Sequence, residues 1–134
     1  MGYYTSYDME VRARENMNHE EKLRLEREAA IALANMPSWS YGNTYANWQE
    51  SRNEGLAKSN DPFGDLISDD VYKWYDHEED MITISKEFPQ LEFILSGKGE
   101  DYDDIWIEYF WNGECCRCMS HIVYDPAPEW SCTK

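Results

Sequence analysis

The sequence predicts an α+β domain in which an antiparallel sheet of about four strands carries two main helices on one face. Three observations lead there. The chain opens on a run of strand-favouring residues; two stretches dense in helix formers each begin at a capping residue and stop at a proline; and the residues after the second helix read as a meander turned at Asn112-Gly113. A length of 134 residues suits one hydrophobic core, so residues 1–134 are expected to form a single domain.

The opening residues Tyr3, Thr5, Tyr7, Met9 and Val11 share one face at period two, which reads as a first strand. Asn18 followed by Glu21 has the form of an N-cap with its capping-box partner, and His19 to Asn35 is rich in Glu, Leu, Arg and Ala before Pro37 closes the helix. Leu23, Ala30, Leu33 and Ala34 mark its buried stripe, widened by Leu25 and Ile31. From residue 36 to 70 no period is sustained, and Pro37, Gly42, Gly55 and Pro62 punctuate the chain. This stretch is expected to be a long variable loop with at most a short helix around Trp48.

Asp76 and Glu79 frame a second capping box, and the acidic turn His77-Glu78-Glu79-Asp80 suits the positive end of a helix dipole. Met81, Ile84 and Phe88 give that helix its apolar side, and Pro89 ends it. Leu91, Phe93 and Leu95 then alternate with Glu92, Ile94 and Ser96. After a turn from Gly97 to Asp104, Ile105, Ile107 and Tyr109 alternate with Trp106, Glu108 and Phe110. Asn112-Gly113, the strongest short hairpin signal, leads into a last strand from Glu114 to about Tyr124, and Pro126 and Pro128 open a flexible tail over 125–134.

The chain is 42% hydrophobic and 15% aromatic, too apolar for a disordered protein, although its mean hydropathy of -0.80 points to a very polar skin. Its formal net charge is -15 and unevenly spread. Residues 1–35 hold seven acidic and five basic side chains, 36–60 two of each, and 61–134 eighteen and five, leaving -2, 0 and -13. Such a field repels nucleic acid and anionic lipid, so neither nucleic acid nor membrane is expected as a direct partner; it speeds encounter with a basic protein surface. No apolar run approaches the length of a membrane span, and the first residues lack the basic and apolar regions of a secretory signal. Gly2 and Ser6 fit the loose acylation pattern, but the aromatics beside Gly2 and the missing basic cluster argue against an anchor. A cytoplasmic protein is expected.

The start Met1-Gly2-Tyr3-Tyr4-Thr5, the block from Lys73 to Met81, the Phe88-Pro89 stop, and Gly97-Lys98-Gly99-Glu100 with Asp104, Trp106, Tyr109-Phe110 and Asn112-Gly113 form a combined pattern. It resembles a family of small proteins carried mainly by bacteriophages and bacterial mobile elements. That resemblance implies a ferredoxin-like sandwich of helices on an antiparallel sheet, a bacterial host cytoplasm, and an accessory role of the anti-restriction or anti-CRISPR kind, in which a small acidic protein mimics DNA charge. It brings no catalytic residues, and the chain departs from the family between Met36 and Asp70 and after Glu114.

Several residue groups carry donor atoms suited to chemistry. Cys116 and Cys118 share a strand face, and Cys132 with His121 would complete a zinc set. The spacing holds no Cys-x-x-Cys pair, however, and adjacent Cys115 points to the other face, so ordinary strand thiols are the better reading. Glu100, Asp101, Asp103 and Asp104 lack the full calcium-loop pattern and read as a solvated turn. His19, His77 and His121 sit in no nucleophile, phosphate-loop or metalloprotease motif, and Glu78, Glu79 and Asp80 read as a solvated cap. No enzyme, cofactor or metal is therefore expected. The expected function is binding and inhibition of a host protein with a basic, nucleic-acid-binding surface. Asp76, Glu78, Glu79, Asp80, Glu100, Asp101, Asp103 and Asp104 would serve as phosphate stand-ins, with Trp39, Tyr41 and Trp48 as anchors. The alternative is a structural or assembly module acting as a homodimer.

Overall fold

The structure, a computed structural model, describes residues 5–37, 46–67, 71, 72, 74, 76–99, 101, 104–120 and 125–131. Its elements follow in the order β1 (Thr5–Ala13), α1 (His19–Ala34), α2 (Ala46–Lys58), α3 (Pro62–Ile67), β2 (Val71–Tyr72), α4 (His77–Glu87), β3 (Leu91–Lys98), β4 (Ile105–Trp111) and β5 (Glu114–Met119), with a short 3-10 turn at Glu129–Ser131. The strands form one open antiparallel sheet in the order β2-β1-β3-β4-β5, with the two-residue β2 at one edge. The helices pack against it, which makes the protein an α+β sandwich consistent with a ferredoxin-like fold.

The pairing register sorts side chains to two faces, because residues opposite each other on neighbouring strands point the same way. Val11 stands opposite Phe93, and Phe93 opposite Phe110; the next row runs Met9, Leu95, Glu108, Arg117, and the next Tyr7, Gly97, Trp106, Met119. These rows face the helices. The core joins Val11, Leu91, Phe93, Leu95, Trp106 and Phe110 of the sheet to Ala29, Ala30, Leu33 and Ala34 of α1, Phe63, Leu66 and Ile67 of α3, and Met81 and Ile84 of α4. The other face carries Ile94, Ile107, Tyr109, Cys116 and Cys118.

Local chemistry explains most element ends. Asn18 caps α1, its Oδ1 accepting from Glu21 N at 2.8 Å. Asn112 and Gly113 both take positive φ, 49° and 84°, as a two-residue hairpin turn of the primed type requires, and Gly113 N donates to buried Ser85 Oγ of α4 at 2.8 Å. Gly97 leaves room for Trp106 on the next strand: a Cβ there would meet its Cζ2 at 2.2 Å.

The stretch from 36 to 70, expected as a loop, holds two helices. Among the described side chains of α2 only Leu56 is buried, so the helix shows no apolar period. It is fastened by polar bonds instead: Arg52 donates to Ala34 O at the end of α1, and Arg27 of α1 donates to Ser59 O at 2.7 Å. α3 begins with Pro62 in the first helical position, capped by Asp61, whose Oδ1 accepts from Gly64 N at 3.2 Å. Phe63 then meets Phe93 edge-on at 5.7 Å between ring centroids. The last strand ends at Met119, before the expected Tyr124, and Ser120 N still reaches Ile105 O at 2.9 Å. Tyr3, Tyr4 and residues 121–124 lie outside the described residues.

Candidate functional site: a charged anchor at one end of the sheet

β4 is amphipathic with one exception. Trp106, Glu108 and Phe110 alternate toward the helices, so a carboxylate stands fully buried between two aromatic positions, beside Leu95 on β3. A buried charge needs a partner. Here it has two. His77, the first residue of α4, meets Glu108 Oε1 through Nε2 at 2.7 Å, and Arg117, opposite Glu108 on β5, brings Nη1 to 3.7 Å from Oε2.

The other ring nitrogen of His77 lies 3.2 Å from Trp74 O. The ring thus bridges a main-chain carbonyl and a buried carboxylate, one through each nitrogen. Burial pushes the Glu108 carboxyl up, but the hydrogen bond and charge of His77 and the charge of Arg117 outweigh it and hold the group below its ordinary value of 4.5.

Aromatic rings surround this ion pair. The His77 ring stacks on Trp106 with centroids 5.0 Å apart, the Arg117 guanidinium lies 4.7 Å from the Trp106 ring, and Tyr7 stands edge-on to Trp74 and Trp106. Thr5, Tyr7, Trp74, His77, Asp104, Trp106 and Arg117 line a hollow of about 190 Å³. The Cys115 thiol and the Glu78 carboxylate also approach Glu108, with one donor atom from each of the three within 4.8 Å of the others. Burial first, then the charges of Glu108 and Glu78, push the Cys115 thiol from 9.0 up to about 11. A larger hollow of about 440 Å³ lies between β1 and α3, but there Asp61 caps α3 and Asp65 accepts from Ser59 Oγ.

The acidic residues singled out in the sequence divide into three groups. Asp76, Glu78, Glu79 and Asp101 are exposed, and Asp104 is half-buried in the wall of the small hollow beside His77. Asp80 is half-buried and accepts from the Trp74 indole Nε1 at 2.8 Å, so it serves the fold as well as the surface. Glu100, Asp103, Trp39 and Tyr41 lie outside the described residues, and Trp48 lies on α2 with only its backbone described. Asp76 stands at the N-cap of α4 without a side-chain capping bond, which corrects the expected capping box. The first turn is instead held from the side, by His77 on Trp74 O and Glu108.

Cys116 and Cys118 are exposed on the face turned away from the helices, while Cys132 and His121 lie outside the described residues. The sequence reading missed Glu108, Arg117 and Cys115 as a group. A carboxylate in the middle of an otherwise aromatic strand face was the available signal.

What the fold and this end of the sheet define is a small α+β protein with a buried ionic anchor beside an aromatic-walled hollow that Asp104 and Arg117 also line. No family model, curated protein or solved structure matches the chain. No helix among the described residues is long and apolar enough to cross a membrane.

Proposed function

We propose that the protein is a non-catalytic, phage-type accessory protein that binds and blocks a host protein through that partner's basic, nucleic-acid-binding surface. One observation supports this reading above others. The His77–Glu108 pair ties the start of α4 to the sheet next to the end of the β3–β4 turn, where His77 and Asp104 line the same hollow. Exposed Asp76, Glu78 and Glu79 thus ride on a fixed element instead of a floppy one, which lowers the entropy lost when a cationic partner docks. Rim charges of this kind act mainly on encounter rate and specificity.

The test starts from affinity capture in a bacterial lysate, followed by titration of the captured partner at rising salt. Binding should weaken steeply with ionic strength, and the variant Asp76→Asn/Glu79→Gln/Asp101→Asn should bind about tenfold more weakly, since exposed pairs contribute about 0.2–1 kcal/mol each. Binding indifferent to salt would overturn the reading.

A homodimeric module is the second reading, favoured by the face opposite the helices, where Ile105 and Ile107 are exposed near Cys116 and Cys118. Light scattering distinguishes the two, because a tight dimer belongs to the second alone.

A further inference from the structure

We propose that Glu78, Glu108 and Cys115 form a binding site for one divalent transition-metal ion of the zinc type. The three donors come from three places in the chain, the first turn of α4, the middle of β4 and the start of β5, and the fold brings one ligand atom of each within 4.8 Å of the others. Tetrahedral zinc bonds oxygen at about 2.1 Å and thiolate sulfur at about 2.3 Å, so its ligand atoms stand roughly 3.5 Å apart. A closure of about 1 Å separates this arrangement from that geometry, within reach of side-chain torsions on exposed Glu78 and half-buried Cys115.

A second, independent observation points to a ligand at this place. Glu108 is fully buried; Oε1 meets His77, whereas Oε2 has no hydrogen-bond donor, only the guanidinium of Arg117 at 3.7 Å, and the Glu78 carboxyl comes within hydrogen-bonding reach of the Glu108 carboxylate. A buried oxygen left so costs free energy unless something is to be bound there. A hydrogen bond from an imidazole is the kind of contact that orients a ligating carboxylate. His77 is itself fixed by Trp74 O, so the orientation extends back into the core.

The charges agree with this assignment. Two carboxylates and a thiolate around a dication leave one negative charge, with the guanidinium of Arg117 beside it. Arg117 has its own place on the Trp106 ring, so it need not compete for Oε2. A thiolate with two carboxylates is a mixed donor set that suits zinc and disfavours calcium or magnesium, which take oxygen alone. Exposed Glu78 gives the ion a path in and water a fourth position. The site shares no residue with the exposed thiols Cys116 and Cys118.

This inference shares Glu78 with the binding reading and is tested without the partner. The chelator-treated full chain is titrated with Co²⁺, whose bond to a thiolate gives a near-ultraviolet charge-transfer band and whose tetrahedral complexes give intense visible bands. One equivalent should saturate both, and Zn²⁺ should displace it. Cys115→Ser should abolish the charge-transfer band, Glu78→Gln should weaken Co²⁺ binding at least about tenfold, and Cys116→Ser and Cys118→Ser should change neither. Neither Glu78 nor Cys115 is fully buried, so both variants should keep the fold, which far-ultraviolet circular dichroism checks. A charge-transfer band that survives Cys115→Ser, a band lost in Cys116→Ser or Cys118→Ser, or no band at stoichiometric Co²⁺ overturns the proposal.

Discussion

Replacing His77 by Ala should destabilise the protein more than replacing Glu108 by Leu, although both remove the same ion pair. The asymmetry follows from where each partner is left. Without the imidazole, the Glu108 carboxylate remains at 0% exposure, with Arg117 at 3.7 Å as its only close counter-charge among the described residues. Stranding one member of a buried pair costs about 3–5 kcal/mol, and Arg117 offsets part of that, so about 3 kcal/mol is expected. Without the carboxylate, His77 keeps its bond to Trp74 O and its stack on Trp106, and Arg117, 40% exposed, turns to water. Leucine at 108 packs beside Leu95, so a cost of about 1 kcal/mol is expected. The double variant His77→Ala/Glu108→Leu should then lie within about 1 kcal/mol of Glu108→Leu alone. Urea unfolding followed by tryptophan fluorescence, with chelator present, reads these values. At a slope of about 2 kcal/mol/M the His77→Ala midpoint falls by about 1.5 M. Equal and additive costs for the two single changes would refute the reasoning, because they would mean that imidazole and carboxylate are not coupled.

The same pair predicts a response to acid. The folded protein holds Glu108 ionised to lower pH than the unfolded chain does, so on acidification the unfolded chain takes up the proton first. Its contribution is present above about pH 4.5 and drains as pH falls through the folded value; the midpoint of unfolding should drop there in the wild type and less in Glu108→Leu. Gly97→Ala places a methyl 2.2 Å from Trp106 Cζ2 and should cost about 1–3 kcal/mol, with a changed near-ultraviolet circular dichroism from the displaced indole; a wild-type spectrum and midpoint would contradict the close approach. Among Cys115, Cys116 and Cys118, Cys115 should be slowest to alkylate at pH 8, since it is half-buried with a thiol raised to about 11, and peptide mass mapping over time gives the order.

Much of the fold was legible because its signals are local. Asn18 with Glu21, the two prolines after the helices and Asn112-Gly113 each act on their own neighbours, and each stands where its chemistry suggested. α2 was legible only as a short helix around Trp48, and its length was not. Among its described side chains only Leu56 is buried, Gly55 interrupts it, and what fastens it to α1 is a pair of arginine-to-carbonyl bonds spanning 18 and 32 residues in sequence. Nothing in the composition of residues 46–58 announces bonds of that range. β4 was legible as a strand but not as to its faces, since Ile105, Ile107 and Tyr109 are as apolar as Trp106, Glu108 and Phe110. The structure turns the carboxylate-bearing side inward because that side holds the two rings that pack on α4 and under Gly97. The site followed the same rule: exposed acids were readable as charge, whereas the meeting of Glu78, Glu108 and Cys115 depends on three elements arriving together.

A buried ion pair is a weak source of stability, since well-packed apolar residues of similar size do as well. The place of His77 and Glu108 therefore calls for another account. α4 presents Met81 and Ile84 to a sheet surface made of Phe93, Phe110 and Leu95, and apolar contacts of this sort tolerate sliding by a fraction of a turn. A charged hydrogen bond of 2.7 Å does not. With Ser85 holding Gly113 farther along and His77 holding Glu108 at the start, α4 is pinned at two points, at the β4–β5 turn and at the middle of β4. Pinning the first turn fixes Glu78 relative to Cys115 and fixes Asp76 and Glu79 relative to Asp104. Both proposals made for this end of the molecule, a cationic partner outside and a metal ion within, require that degree of placement. An apolar core beneath α4 would supply the stability without it.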